Sequence, residues 1–254
     1  MSEDLACKKR RLIKGLDKTE DGHPVMFCFP YAGGGASVYG GWERALKGLA
    51  DVCPIQLPGR EERIMEEPYT EMSGLINDLM ECMAPYIRRD MILFGHSMGA
   101  KMAFEMAGQL EQAGVFLKHL ILSGSRVPDS PEPRPIYHLS DEEFKREIGR
   151  FDGTPAEILE NRELLDFFLP MLRADFTLDE TYYQREMRAL SCPITAFCGM
   201  QDEEAGPAAV LKWEELTGGK FECHMYGGGH FFIREHTGEI LAVIKEIIRG
   251  IRQG

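Results

Sequence analysis

The chain has 254 residues, is 44% hydrophobic and carries a formal net charge of −12 at pH 7. This length suffices for one α/β domain with a full hydrophobic core and leaves no room for a second catalytic domain. The negative charge disfavours nucleic acid as a partner, and no apolar run is long enough to cross a bilayer. Because the sequence shows neither a signal-peptide pattern nor a C-x-x-C pair, we expect a cytoplasmic protein whose seven cysteines are free thiols. We also expect the protein to be a monomer.

Residues 1–22 are polar and charged, and we expect them to form a poorly ordered extension ahead of one domain at 23–254. The basic run Lys8-Lys9-Arg10-Arg11 falls in this extension. Six short apolar runs then predict buried parallel strands, at 25–29, 52–57, 91–94, 119–123, 194–198 and 221–226. Helical periodicity separates them, notably at 73–87 and 237–252. This alternation predicts an α/β fold, with a mostly parallel central sheet covered by helices on both faces.

The interval between the fourth and fifth predicted strands is longer than one crossover helix needs, which indicates an insertion at about 128–190. The motifs S-x-x-E at 140–143 and T-P-x-E at 154–157 both match the capping box that begins a helix. Asn161 is expected to begin a third helix, which Pro170 kinks or ends. The apolar residues of this insertion predict a helical lid over the carboxyl edge of the sheet.

The strongest signal is the motif G-H-S-M-G at 95–99, which connects a predicted strand to a predicted helix. In this context G-x-S-x-G is typical of a nucleophile elbow, a sharp turn that lifts a serine hydroxyl clear of the sheet in an α/β-hydrolase fold. Bulk at either glycine would clash where the chain doubles back. The motif therefore predicts Ser97 as the nucleophile of a serine hydrolase.

A serine nucleophile needs a base, and the base needs an acid that orients it. His230 lies in a glycine-rich loop after the last predicted strand, where this fold places its base, whereas His96 is expected to point away beside the elbow. In the loop after the fifth predicted strand, Asp202 is the preferred acid. Three other carboxylates stay open as alternatives: Glu203, Glu204 and Asp129.

The glycine-rich loop at 30–37, after the first predicted strand, is expected to supply the Ala32 N–H to an oxyanion hole, while Met98 supplies the second N–H. Such loops also bind nucleotide phosphates. However, the pattern G-x-G-x-x-V at 33–38 lacks the third glycine of a dinucleotide motif, and no Gly-Lys-Ser/Thr follows it. The chain also lacks H-E-x-x-H, so we predict neither a cofactor nor a metal site.

Several segments together resemble the type II thioesterases, the external enzymes that accompany non-ribosomal peptide and polyketide synthases, in consistent order from about 24 to 250. The segments are Phe29-Pro30-Tyr31-Ala32-Gly33-Gly34 with Tyr39 and Trp42, Gln56-Leu57-Pro58-Gly59-Arg60-Glu61 with Arg63, Gly95-His96-Ser97-Met98-Gly99-Ala100, Arg173-Ala174-Asp175-Phe176 and Gly229-His230-Phe231-Phe232. The resemblance implies hydrolysis of acyl groups from the 4′-phosphopantetheine arm of acyl- or peptidyl-carrier domains. Such hydrolysis clears stalled or mis-primed units or releases intermediates.

The resemblance also implies a set of site residues: the triad Ser97, Asp202 and His230, and the oxyanion amides of Ala32 and Met98. In the acid loop the chain departs from the family's Gly-Asp-x-Asp-Pro, because Met200 and Glu203 replace the first Asp and the Pro. This departure weakens the motif and leaves the aligned acid in place.

Other functions use the same residues. A carboxylesterase or lipase would cleave oxygen esters with this triad, and an acyltransferase would differ only in its final acceptor. A non-enzyme alternative is an inactive carrier-docking protein that binds acyl chains under the lid. Because carrier domains are usually acidic, docking needs local basic residues, for which the insertion offers Arg134, Lys145, Arg146 and Arg150.

Overall fold

The computed structural model describes residues 11–20, 22–87, 89–129, 131–149, 151, 153 and 156–253. Its six strands are β1 (Val25–Phe29), β2 (Asp51–Pro54), β3 (Met91–His96), β4 (His119–Ser123), β5 (Ile194–Gly199) and β6 (Phe221–Tyr226). They form one parallel sheet in the order β2-β1-β3-β4-β5-β6. Each strand falls on a predicted apolar run, so the prediction of a mostly parallel sheet is confirmed.

Strands β1, β3 and β5 lie inside the sheet and are buried along their whole length. Strands that are covered on both faces read as continuous apolar runs, which explains their sequences. Phe29 pairs with Gly95, and His96 pairs with Ser123. The carboxyl ends of three neighbouring strands therefore meet at one edge, which is where open α/β sheets place their ligands.

The helices are α1 (Trp42–Ala45), α2 (Met72–Met83), α3 (Met98–Gln112), α4 (Asp141–Ile148), α5 (Ala156–Glu160), α6 (Arg162–Thr181), α7 (Pro207–Val210), α8 (Phe232–Glu235) and α9 (Thr237–Gln253). Helices α2 and α3 pack on one face of the sheet, whereas α1 and α9 pack on the other. The helix predicted at 237–252 corresponds to α9, which buries Ile240, Ile244 and Ile248. No helix within the described ranges is both long and apolar enough to span a membrane.

Part of the predicted N-terminal extension packs on the core. Leu12 and Ile13 are buried, and Ile13 forms an antiparallel bridge with Ile55, just beyond the end of β2. The sequence predicts that the second strand continues to residue 57, but β2 ends at Pro54 and Ile55 pairs with the N-terminal segment instead. The prediction of a poorly ordered extension is therefore wrong for 11–20, because two apolar side chains anchor the segment. Residues 8–10 of the basic run lie outside the described residues.

The insertion between β4 and β5 contains α4, α5 and α6. The predicted capping box of α4 is confirmed, because the side chains of Ser140 and Glu143 accept hydrogen bonds from each other's backbone N–H. Asn161 begins α6 as predicted, and its side chain accepts from the N–H groups of Glu163 and Leu164. The second predicted capping motif, at 154–157, lies partly outside the described residues.

Helix α6 continues through Pro170 to Thr181, so the alternative that this proline ends the helix is wrong. A proline inside a helix removes one backbone hydrogen bond. Apolar residues on both sides of Pro170 pack into a small core with α4, and this burial holds the helix together across the proline. The α6 members of that core are Leu165, Leu169, Met171 and Leu172.

Candidate active site

Ser97 stands at the turn between β3 and α3 with φ 56° and ψ −122°. A positive φ is uncommon for a residue with a side chain, and the surrounding structure must hold the strained conformation in place. Two backbone hydrogen bonds do so, from Ser97 N–H to Ser123 C=O at 2.8 Å and from Ala100 N–H to Ser97 C=O at 2.9 Å. The geometry is that of the predicted nucleophile elbow.

The two glycines of the motif are required by space. A Cβ on Gly95 would lie 2.0 Å from the carbonyl oxygen of Gly99, and a Cβ on Gly99 would lie 2.1 Å from that of Phe29. Both obstacles are backbone atoms inside the sheet and helix. The turn can therefore form only with hydrogen at these two positions.

His230 meets the serine as predicted. Its Nε2 lies 2.9 Å from Ser97 Oγ, and its Nδ1 lies 2.9 Å from Asp202 Oδ2. The loop that carries His230 follows β6 and includes Gly228 at φ 97°, a conformation that glycine adopts without strain. Three side chains that are far apart in sequence thus form one hydrogen-bonded series, in the arrangement that activates a serine.

Asp202 is held as a carboxylate. Its side chain is fully buried, and Oδ1 accepts hydrogen bonds from the N–H groups of Glu204 and Ala205 at 2.8 and 2.9 Å. Burial by itself raises the pKa of Asp202, but the hydrogen bond and charge of His230, with the two N–H groups, bring the pKa below its ordinary value. Of the alternative acids, Glu203 and Asp129 are exposed, and the His230 ring bonds to Asp202.

The expectation that His96 points away from the site is wrong. Its ring is buried with its centroid 5.2 Å from that of His230, and its Nδ1 lies 2.9 Å from Ser123 Oγ. Burial, followed by the nearby charge of His230, holds the pKa of His96 well below its ordinary value. Because the His96 ring is neutral, it does not repel the positive charge that His230 acquires when it takes a proton, whereas a second imidazolium at this distance would.

The Ser97 hydroxyl and His230 line a cavity of about 70 Å³ between the sheet edge and the insertion. The insertion contributes the apolar side chains Ile148, Phe151, Leu172 and Phe176. Sites for small molecules usually measure roughly 300–1,000 Å³. In this conformation the insertion lies beside the serine, and the space between them is small.

Charged residues also line the cavity. Lys101, one turn along α3 from the serine, forms an ion pair with Asp179 of α6 at 3.0 Å. Burial raises the pKa of Glu180 to about 7, against hydrogen bonds from the N–H groups of Ile136 and Tyr137, which favour its charged form. The part of the cavity that these side chains line suits a polar group better than a hydrocarbon chain.

The glycine loop, residues 30–37, brings Ala32 to the same cavity as Ser97. Met98 is the first residue of α3, and the first four N–H groups of a helix have no acceptor within it. Both residues predicted for the oxyanion hole thus lie next to the nucleophile, one in space and one in sequence.

Two further residues hold this loop, and sequence reasoning assigned neither of them a role. Arg60, in the segment after β2, forms a bidentate ion pair with Asp175 of α6, and Asp175 also accepts the N–H of Gly33 at 2.7 Å. A signal was present, because Asp175 interrupts the apolar pattern of a helix and a carboxylate there needs a partner. The sequence does not identify that partner, which lies 115 positions away.

The structure separates the basic residues suggested for docking. Lys145 forms ion pairs with Asp166 and Glu142, so most of its charge is neutralised within the insertion. Arg134 and Arg146 are exposed, and Arg150 lies outside the described residues.

Comparisons with known proteins bear on this geometry. The thioesterase domain family matches residues 24–248. LgrE from Brevibacillus parabrevis, which is named a linear gramicidin dehydrogenase, is 40% identical over 241 residues, covering 93% of this chain and 92% of that protein.

Two solved structures are also similar. The type II thioesterase BorB from the borrelidin biosynthetic cluster is 35% identical, has a TM-score of 0.85, and is matched over 94% of this chain and 98% of its own. YbtT, a type II thioesterase from the yersiniabactin NRPS/PKS biosynthetic pathway, is 29% identical with a TM-score of 0.81, over 94% and 98% of the two chains. The predicted α/β-hydrolase fold is confirmed by this likeness, and the chain belongs to the thioesterase domain family.

Proposed function

We propose that this chain is a stand-alone thioesterase that hydrolyses acyl groups from the 4′-phosphopantetheine arm of carrier domains in non-ribosomal peptide or polyketide biosynthesis. The observation that carries the proposal is the hydrogen-bonded series Ser97–His230–Asp202 at a cavity that the insertion covers. The likeness to type II thioesterases over nearly the whole chain supports the carrier-bound substrate.

In the first half of the reaction, His230 Nε2 takes the proton of Ser97 Oγ as the oxygen attacks the thioester carbonyl carbon. The negative charge that develops on the carbonyl oxygen is stabilised by the N–H groups of Ala32 and Met98. Asp202 keeps the imidazole oriented and stabilises its positive charge. The C–S bond then breaks, His230 gives the proton to the departing pantetheine sulfur, and the acyl group stays on Ser97.

In the second half, His230 takes a proton from water, and the resulting hydroxide attacks the acyl ester on Ser97. The same two amides stabilise the second oxyanion. When this intermediate collapses, the C–O bond to Ser97 breaks, the carboxylic acid leaves, and His230 returns the proton to the serine. These steps use only groups of the protein and water, so the proposed function needs no cofactor or metal.

The cavity bears on the substrate. A volume of about 70 Å³ accommodates a short acyl group but not an acyl chain together with its pantetheine arm. We therefore expect the insertion to move when the arm enters, and short acyl groups to be preferred. The charged lining, with the Lys101–Asp179 ion pair and Glu180, further favours acyl groups that carry a polar substituent.

A dehydrogenase function, which the name of LgrE suggests for that relative, fits this site poorly. A dinucleotide needs the backbone N–H groups of its glycine loop for the pyrophosphate. Here the N–H of Gly33 already donates a hydrogen bond to the carboxylate of Asp175 at 2.7 Å, and the negative charge of this carboxylate would repel a phosphate. An esterase or an acyltransferase uses the same triad and is separated from the proposed function only by substrate and acceptor.

We also propose that the protein works as a monomer in the cytoplasm and that its partners are carrier domains. The cysteines among the described residues are free thiols, as is usual in a reducing compartment: Cys28, Cys53, Cys82, Cys192, Cys198 and Cys223. Size-exclusion chromatography with light scattering measures the oligomeric state directly.

The test of the function is mass spectrometry of carrier proteins loaded with a panel of acyl groups, incubated with the wild-type chain or with Ser97→Ala. We expect the wild type to return holo-carrier and free acid, the short and polar acyl groups to be cleared fastest, and the variant to leave every carrier loaded. Parallel rates on p-nitrophenyl esters address the esterase alternative. Strong ester hydrolysis with no release from any carrier would reject the carrier-bound substrate.

A further inference from the structure

The insertion is joined to the glycine loop by a buried ion pair. Arg60 Nη1 and Nη2 bind Asp175 Oδ2 and Oδ1 at 2.6 and 2.7 Å, and the two side chains are only 4% and 3% exposed. Two parallel N–H···O bonds fix the relative orientation of the guanidinium and carboxylate planes. The pair therefore joins the segment after β2 to α6 in one defined geometry.

Both members of the Arg60–Asp175 ion pair also bind the backbone of the glycine loop. Asp175 Oδ2 accepts the N–H of Gly33 at 2.7 Å, and Arg60 Nη1 donates to the C=O of Gly34 at 3.1 Å. Leu172, one turn before Asp175 on α6, packs so closely on Gly33 that a Cβ there would lie 3.0 Å from it. Helix α6 thus contacts the loop through the hydrogen bond that the charged Asp175 accepts and through the apolar side chain of Leu172.

The bound segment is a tight turn. The N–H of Gly34 donates to the C=O of Tyr31 at 2.8 Å, and Gly33 has φ 79°. A positive φ at the third residue is the mark of a type II turn, which differs from type I by rotation of its central peptide. That central peptide joins Ala32 to Gly33, and its N–H is the one that Asp175 accepts. The carboxylate therefore selects one of two orientations of the peptide that follows Ala32. Together with the bond from Arg60 to the C=O of Gly34, it also fixes the position of the turn that carries the Ala32 N–H.

We infer that Asp175 and Arg60 are positioning residues for the oxyanion hole: through the Gly33 N–H and the Gly34 C=O they hold the turn in the position from which the Ala32 N–H serves the site. This inference rests on the proposed function, in which the Ala32 amide stabilises the oxyanion. It implies that the insertion takes part in catalysis through its contact with the loop, as well as covering the substrate. Movement of α6 away from the loop would release the turn and switch off the chemical step.

The test uses two variants and one control. Asp175→Asn keeps the shape of the side chain but loses the charge, so it weakens the hold on Arg60 and Gly33. The double variant Arg60→Met/Asp175→Leu removes both charges and leaves no lone buried ion, which protects folding. The control is Arg173→Met, two residues away on α6, where Arg173 binds Asp141 and the carbonyls of Tyr137 and Leu139 rather than the loop.

For each variant the measurements are kcat and KM on acetyl-pantetheine, the rate at which a fluorophosphonate probe labels Ser97, and the melting temperature. We expect Asp175→Asn and the double variant to lose about 10- to 100-fold in kcat and in labelling rate, with KM changed by less than about threefold, as for an oxyanion donor that is displaced. Arg173→Met should lower the melting temperature and leave kcat near the wild-type value.

The double variant separates positioning from stability. If it regains a melting temperature near that of the wild type and also regains kcat and labelling rate, the ion pair only stabilises the fold and the inference is overturned. A loss that appears in KM instead of kcat also overturns it. If the wild-type chain labels at Ser97 but cleaves no pantetheine thioester, the proposed function fails, while the labelling rates still test the ion pair.

Discussion

The nucleophile elbow and the insertion differ in how their residues are held. At the elbow, backbone contacts within a few residues and between neighbouring strands fix Ser97, and two glycines leave no alternative. In the insertion, side chains tie α6 to the loop beside the site: Asp175, which is paired with the distant Arg60, accepts the N–H of Gly33, and Leu172 packs on the same glycine. Backbone contacts thus hold the nucleophile, whereas side-chain contacts hold the element that covers it. Movement of the cover would leave Ser97 in place but release the loop that carries Ala32.

The largest effect is expected at the nucleophile elbow. Ser97→Ala removes the only atom that forms the acyl-enzyme, so kcat should fall by on the order of 10⁴- to 10⁶-fold. Steady-state hydrolysis of acetyl-pantetheine measures the change. The matched control is Ser191→Ala, whose hydroxyl binds Glu111 at the other end of the sheet and should leave kcat unchanged. Similar losses in both variants would contradict a special role for Ser97.

The next effect concerns the acid. Asp202→Asn should lower kcat by about 10²- to 10⁴-fold, because an amide cannot stabilise the imidazolium and favours the wrong tautomer of His230. Asp129→Asn is the control, since Asp129 is exposed and the His230 ring bonds to Asp202. A loss of activity in Asp129→Asn with normal rates in Asp202→Asn would assign the acid to the loop after β4.

Alanine substitutions at two glycines compare the steric requirement at the elbow with that in the middle of α3. Gly99→Ala should destabilise the fold by about 3 kcal/mol, because its Cβ would meet backbone at 2.1 Å. Gly108→Ala, nine residues along α3, has open space at the new Cβ and should stabilise the fold by roughly 0.5–1 kcal/mol through helix propensity. Urea unfolding of both variants measures the difference. Equal effects at the two positions would rule out a steric requirement at the elbow.

The smallest effect lies in the insertion and depends on pH. Burial raises the pKa of Glu180 to about 7, above its ordinary value of 4.5. Between these values an unfolded chain is already ionised while the folded chain is not, so stability falls as pH rises from about 4.5 through 7. The melting temperature should therefore fall a few degrees more between pH 5 and 8 in the wild type than in Glu180→Gln. Parallel curves for the two proteins would show that Glu180 does not titrate in this range.

The sequence predicts the elbow well because its constraints are local. Gly95 and Gly99 flank the serine, and the apolar run of β3 precedes them, so motif and context lie within ten residues. The base follows from chain order. The choice of acid could not be settled in the same way, because only the folded structure buries Asp202 and leaves Glu203 exposed.

The errors have long-range causes. Leu12 and Ile13 are too few to produce an apolar period, yet pairing with Ile55 buries them. The direction of the His96 side chain could not be predicted because His96 is the last residue of β3, where the chain turns and the alternation along the strand ends. The Arg60–Asp175 ion pair joins two segments 115 residues apart, and no local pattern identifies such a partner.

The central claim is that Ser97, activated by His230, carries the acyl group between the two halves of the reaction. The most direct measurement is rapid quenching of the wild-type chain with acetyl-pantetheine, followed by intact-mass and peptide mass spectrometry. We predict a transient acetyl adduct on the peptide that contains Ser97, absent from Ser97→Ala and formed far more slowly in His230→Ala. Hydrolysis that proceeds at the wild-type rate in Ser97→Ala, or an adduct that forms on another residue, would contradict it.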